Sequence, residues 1–237
     1  MLSKPNIKDF KIAYSPNFDV FPVENEIKDV VKNSVLLFQE AGAQVDEIKT
    51  GIKIPQEELS NLWCRMIMPA LLAFHRQMKN NNIDLLLDHK HDFPPEYHKW
   101  INNCKNMNII EYYEDQELRT EIYDKIQIIL DNYDLLITPT LGCMPVDNNV
   151  NGNTIGPNHI DGIDVNPLIG WCLTYLINFT GHPAASIPAG LSSDKMPIGM
   201  QIIGKRFHDY DVLNASKIFE NLKPWSNSYH ICENRIL

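Results

Sequence analysis

The feature that most constrains the fold is a change of hydrophobic period within the first fifty residues. Lys11-Ile12-Ala13-Tyr14 reads as a short strand, and Pro16 and Pro22 then bracket a loop. From Glu26 the pattern becomes helical. Ile27, Val30, Val31, Val35, Phe38 and Ala41 recur at three- and four-residue steps, which places them on one helix face. Gly42 follows where a helix-terminating glycine belongs. Ala43 to Ile48 returns to a strand pattern. A strand, a helix and a second strand in this order are the β-α-β unit of α/β architecture.

The rest of the chain extends this reading. Residues 55–79 form a predicted helix with Leu59, Leu62, Met66, Ala70, Phe74 and Met78 on one stripe, and Pro69 should kink or split it. Asn80-Asn81-Asn82 ends that run. The polar stretch 88–108, with Pro94-Pro95, reads as loop and short helical pieces. Leu118, Ile122, Ile126 and Ile129 mark a long helix, and Asp134-Leu135-Leu136-Ile137-Thr138-Pro139 a buried strand stopped by proline. Residues 142–167 are rich in Gly, Asn, Asp and Pro, a connection long enough to suggest function or mobility. A short helix from about Pro167 to Asn178 precedes two strands, 183–188 and 198–203, joined by a turn around Asp194. A closing helix from Asp211 to Leu222 turns Val212, Ala215, Phe219 and Leu222 inward. With no repeat and no linker, residues 1–237 read as a single α/β domain.

Composition excludes some partners. The 237 residues are 44% hydrophobic, enough for a sizeable core. Lys and Arg number 21 against 30 Asp and Glu, a formal charge of −9 with no basic stripe. That balance argues against nucleic acid and against anionic membrane surfaces. No run approaches the roughly 18 apolar residues that span a bilayer. Met1 to Asn6 lacks the apolar region of a secretory leader, so the expected location is cytoplasmic. Cys64, Cys104, Cys143, Cys172 and Cys232 are scattered without zinc-ligand spacing, which fits reduced thiols.

Local candidates for chemistry each have a simpler reading. Cys143 follows a strand end, where α/β proteins place function, yet the next histidine is His159, and a packed small residue is the better account. His89-Lys90-His91-Asp92 offers two imidazoles and a carboxylate but nothing to complete a metal site, and reads as a solvated loop. His182 reads as structural. Glu57-Glu58 and Glu114-Asp115 read as solvated helix faces. No phosphate-binding glycine pattern and no Gly-x-Ser-x-Gly elbow is present.

A longer pattern carries more. Asp134 to Thr140, ending Thr-Pro-Thr, is followed by the block Asn178-Phe179-Thr180-Gly181-His182-Pro183-Ala184-Ala185-Ser186-Ile187-Pro188-Ala189-Gly190. Then come Pro197-Ile198-Gly199-Met200-Gln201-Ile202-Ile203-Gly204 and a last helix ending Pro224-Trp225. These four blocks, in this order and spacing, resemble the C-terminal part of the amidase-signature family. Locally, Pro139, Pro183 and Pro188 would end strands, and Gly181 and Gly190 would admit positive φ or a neighbouring backbone.

The resemblance implies a mixed β-sheet flanked by helices, part of a larger sheet, and hydrolysis of carbon–nitrogen amide bonds. It also implies that Thr138, Pro139, Thr140, Leu141, Gly142 and Cys143, with the segment 144–167, line a substrate pocket. The family's nucleophile is a serine in a Gly-Gly-Ser-Ser-Gly-Gly-Ser-like stretch, assisted by a second serine and a lysine, with no metal or organic cofactor. This chain has no Gly-Gly pair, and Ser192-Ser193 lies in a turn with no glycine run beside it. No catalytic position therefore transfers. The expected function is a module that supplies pocket walls for a small-molecule amide once complemented by an amidase N-terminal part. The alternative is a non-catalytic remnant that binds a small molecule or a partner. A partial sheet also leaves an open edge, so a homo-oligomer is expected.

Overall fold

The computed structural model of the chain describes residues 6–149 and 154–229. Met1 to Pro5, part of the segment read for a leader, and Cys232 lie outside the described residues. Strand β1 (Lys11–Tyr14) and strand β2 (Gln44–Glu47) run parallel and are joined by helix α1 (Asn25–Glu40). The period change in the sequence has the cause assigned to it: Ile27, Val31, Val35 and Phe38 are buried on one face of α1. Burying each such side chain contributes roughly 1.5–3 kcal/mol. Gly42 follows the helix with φ +109°, a conformation that costs a glycine little.

Strand β3 (Leu135–Pro139) pairs parallel with β1 on the side opposite β2. Strands β4 (His159–Ile160) and β5 (Ile163–Asp164) form a separate two-stranded hairpin. Strands β6 (Ala184–Leu191) and β7 (Pro197–Gly204) then pair antiparallel with each other. Strand β7 also pairs antiparallel with β3, giving the order β2-β1-β3-β7-β6. The sheet is therefore mixed and flanked by helices, an α/β fold, as expected. Helix α6 (Asp209–Leu222) packs on β6 and β7 together with α1, burying Val212, Ala215 and Phe219. Leu222, expected inward, is 41% exposed, at the last residue of the helix.

Between β2 and β3 the chain makes a helical excursion. Helix α2 (Gln56–Asn80) is one continuous helix across Pro69, not two. Its stripe changes there. Leu59 and Leu62 are buried as expected, but Ala70 and Phe74 are exposed, and Met68 and His75 face inward instead. The reason is a change of partner. The second half of α2 packs on helix α3 (Pro95–Lys105), and His75 bonds Tyr97 of that helix. Helix α4 (Ile109–Asn132) begins with a capping box between Asn108 and Glu111 and returns to β3 with Ile122, Ile126, Ile129 and Leu130 buried.

The described parts of the connection 142–167 carry more structure than their composition suggests. The β4–β5 hairpin turns at Asp161-Gly162, with φ +49° and +78°. Asp-Gly is a strong hairpin signal. The helix expected from Pro167 shrinks to α5 (Thr174–Asn178). Upstream of it, the Trp171 carbonyl is taken by Gly142, so the helical ladder gives way to a tertiary bond. Pro188, expected to end a strand, lies inside β6 at a register shift between Pro188 and Gly190, which an edge strand tolerates.

Candidate functional site

The loop that leaves β3 is built from the strand outward. All five residues of β3 are buried. The Thr138 hydroxyl donates to the Pro139 carbonyl at 3.1 Å and accepts from the Gln201 carboxamide at 3.2 Å. Pro139 contributes no N–H. Thr140 resumes pairing by donating its N–H to the Gly199 carbonyl at 3.1 Å, and its hydroxyl lies 2.8 Å from that of Ser186. Leu141 bridges antiparallel to Cys172. Gly142 donates to the Trp171 carbonyl at 2.8 Å, and its own carbonyl accepts from Glu24 N–H at 2.9 Å. A Cβ at Gly142 would come within 2.6 Å of the Pro22 carbonyl oxygen, so this position admits no side chain. The loop is thus held from both sides, by residues 22–24 and 171–173.

Of the six residues expected to line a pocket, Thr138, Pro139, Gly142 and Cys143 are buried, and Thr140 and Leu141 are half-buried. The six lie together at one strand end, with Thr140 and Leu141 as its more accessible side chains. Cys143 packs with Ile160, Val165 and Trp171. Burial, and secondarily the Glu24 carboxylate, push its thiol up to about 11. Cys172 is pushed up to about 12 by burial and by Cys143. A thiol shifted upward is a poor nucleophile at neutral pH, so Cys143 behaves as the packed residue that the sequence suggested.

A serine and a lysine do meet in this chain, at a place the sequence did not single out. Lys223 Nζ stands 3.4 Å from Ser34 Oγ, and burial lowers its pKa. Yet Ser34 is fully buried, and its hydroxyl proton is directed at the Ala189 carbonyl, 2.7 Å away. A nucleophile must reach a substrate and pass its proton to a base. Ser34 does neither, and it ties α1 to β6. Ser192 accepts from Met196 N–H within the β6–β7 turn, as its turn reading requires.

Of the carboxylates read as solvated faces, Glu57 and Glu114 are exposed as expected, but Glu58 is half-buried and Asp115 is buried. Asp115 is 5% exposed and accepts bidentate bonds from Arg65 at 2.7–3.0 Å, and Glu58 is the second partner of that guanidinium at 2.7 Å. This clamp locks α2 to α4. No local spacing could announce it, because Arg65 and Asp115 are 50 residues apart. Glu57 instead lines a cleft of about 670 Å³ with Asn61, Glu96, Lys99, Trp100 and Asn166, between α2, α3 and the end of the hairpin segment. Among the described residues His89 pairs only with Asp92, in solvent. Among the described residues no three His, Cys, Asp or Glu stand together as a metal cage, and no helix is long and apolar enough to cross a membrane.

His182 is 6% exposed and stacks on Tyr123, ring centroids 5.6 Å apart. Its Nε2 lies 3.2 Å from Gln127 Oε1. That oxygen also accepts from the Tyr123 hydroxyl, and Gln127 Nε2 donates to Asp131. The network therefore fixes the tautomer: His182 carries its proton on Nε2, and its buried Nδ1 has no partner. Burial, with Arg206 adding a like charge, lowers its pKa to about 4. His182 is structural, as read from the sequence.

Fold and loop define an α/β module whose β3 strand end is tied down by tertiary hydrogen bonds. The chain belongs to the amidase family, whose model matches residues 2–213. It is 43% identical to a bacterial aryl acylamidase of the amidase-signature enzymes, with a TM-score of 0.94, over 98% of this chain and 47% of that one. It is 25% identical to an acylamidase of Rhodococcus erythropolis over 228 residues, 95% of this chain and 45% of that protein. It is 28% identical to a glutamyl-tRNA(Gln) amidotransferase subunit of Staphylococcus carnosus, covering 91% of this chain and 45% of that protein. The chain spans about half the length of the relatives it matches.

Proposed function

We propose that this chain is the wall-forming half of an amidase-signature hydrolase, acting on the amide bond of a small molecule only when another polypeptide part supplies nucleophile and base. The observation that carries this reading is the match to the aryl acylamidase, with a TM-score of 0.94 over 98% of this chain against 47% of the other. So close a likeness over half of that protein supports a reading in which the rest is supplied separately. Its own residues supply positioning. Thr140 and Leu141 face outward from a loop pinned at Gly142, and a pinned wall orients a substrate without first having to be ordered. Amide hydrolysis further requires an activated nucleophile and donors at the developing oxyanion. Those fall to the complementary part. The chemistry calls for no metal or organic cofactor.

The test is co-expression of this chain with the part of the bacterial aryl acylamidase that it does not cover, assayed on an N-acylated arylamine. Hydrolysis by the pair, and by neither part alone, is expected. Hydrolysis by this chain alone, lost on changing one of its own serines, would sink the reading.

A further inference from the structure

Around Pro69, helix α2 has two unlike faces. Met68 and His75 are buried, and His75 bonds Tyr97 of α3. Beside them Pro69, Leu72, Ala73 and Arg76 follow at steps of three, one and three, which sets them in one row along the helix. The row is three apolar residues ended by a guanidinium. It is only partly covered: Pro69 and Leu72 are half-buried, and Ala73 and Arg76 are exposed. The opposite wall comes from the junction of α3 and α4. Cys104 and Lys105 end α3, Met107 lies in the connection, and Ile109 and Tyr112 stand three apart at the start of α4. Together the two walls enclose a groove of about 420 Å³, within the range of small-ligand sites. Its apolar lining is in contact with water, with Ile109 65% and Tyr112 37% exposed.

The charge on this groove has one sign. Arg76 and Lys105 line it, and no carboxylate does. Burial raises the Cys104 thiol and the Arg76 charge opposes that shift, so the guanidinium lies near Cys104, the neighbour of Lys105 in sequence. Among the described residues Arg76 takes part in no ion pair, and Lys105 donates only to Asn102 Oδ1, at 3.0 Å. The carboxylates around the junction are engaged elsewhere. Glu111 accepts from Asn108 N–H at 3.0 Å, and Asp115 and Glu58 hold Arg65. In a chain of formal charge −9, this is a local cationic site on an apolar floor.

We propose that this groove binds a free amphipathic monocarboxylate, an alkyl chain ended by one carboxylate group. The chain lies along Leu72, Ile109 and Tyr112 and takes their apolar surface out of water, which is favourable and non-directional. The carboxylate sits between Arg76 and Lys105. A guanidinium fork can take both carboxylate oxygens, and an ammonium adds a compact charge. The two cations therefore select the sign of the ligand. An alkylammonium would meet like charges, and an alcohol of the same length would gain only the apolar part. The site is built from α2, α3 and the start of α4 alone, so it stands or falls apart from the proposed hydrolysis.

The test is isothermal titration calorimetry of the full chain with octanoate, below the concentration at which octanoate self-associates. Octan-1-ol and octyltrimethylammonium are titrated in parallel, and phosphatidylglycerol vesicles are tested by co-sedimentation. The variants are Arg76→Gln combined with Lys105→Gln, Leu72→Asn in the floor, and Lys217→Gln on α6 as a control, each checked for folding by circular dichroism. Octanoate should saturate a single site and bind at least tenfold more tightly than the alcohol or the ammonium. The double variant should lose at least tenfold, Leu72→Asn should also weaken binding, and Lys217→Gln should match the parent. Raising the salt concentration should weaken octanoate binding to the parent, a reading that needs no variant to fold. No octanoate binding, binding unchanged in the double variant, or binding indifferent to salt overturns the site. Octyltrimethylammonium binding as tight as octanoate overturns the ligand class. Vesicle binding that the double variant loses, without binding of free octanoate, overturns the free carboxylate in favour of a lipid surface.

Discussion

Acidification should unfold this protein partly through one histidine. His182 is buried, its Nε2 proton is committed to Gln127, and its Nδ1 has no acceptor. A second proton would place an imidazolium in a site that offers no partner for the new N–H, beside Arg206. The folded-state pKa is accordingly about 4, against an ordinary 6.5. Between those values the unfolded chain binds more protons than the folded one, so stability rises with pH across that window. The cost is absent above about pH 6.5 and complete below about pH 4. At 1.36 kcal/mol per pH unit, the gap between 6.5 and about 4 corresponds to about 3 kcal/mol. The assay is urea unfolding of the parent and of His182→Gln at pH 7, 6, 5 and 4. Glutamine can still donate to Gln127 but does not titrate. His75, also buried with an unpartnered Nδ1 and a pKa lowered by burial and by His98, is common to both proteins and cancels. The stability difference, parent minus variant, should fall by about 3 kcal/mol from pH 7 to pH 4. A difference flat to within about 0.5 kcal/mol, or a His182 ring titrating near 6.5 by NMR, refutes the reasoning.

Three further outcomes follow from the geometry. Asp115→Ala leaves the Arg65 guanidinium without its bidentate partner and should cost about 3 kcal/mol in urea unfolding at neutral pH, whereas Glu58→Ala, at a partly exposed partner, should cost under about 1 kcal/mol; equal losses would mean that Asp115 is not the centre of the clamp. Cys143→Ala should cost about 1–2 kcal/mol, and the parent thiol, pushed up to about 11, should react with iodoacetamide at pH 7 no faster than the other thiols; a clearly faster rate would contradict its burial. Gly142→Ala should destabilise by about 1–3 kcal/mol, since its Cβ would meet the Pro22 carbonyl, and a neutral substitution in thermal unfolding would show that the loop is not pinned there.

The sequence by itself determined what depends on local period and local sterics. The spacing of Ile27, Val31, Val35 and Phe38 gave α1, and the apolar run ending at Pro139 gave a buried β3. The Thr-Pro-Thr and Gly-x-Pro-Ala blocks led to the amidase family, which the family model matches over residues 2–213. The hairpin at Asp161-Gly162 was not read from the sequence, because the polar composition around it hid the Asp-Gly signal. Tertiary structure decided everything that depends on which element meets which. The stripe of α2 turns at Pro69 because α3 becomes its partner, and α3 is not visible from the α2 sequence. Asp115 reads as a surface carboxylate until Arg65, 50 residues earlier, is placed against it. Gly142 is confined by Pro22 across 120 residues of chain, and β7 lies between β3 and β6 although β6 comes first in sequence. A helix or strand period records only that a face is buried. The choice of what buries it is a long-range contact, and it is these contacts that hold Thr140 and Leu141 at the surface and leave β6 open.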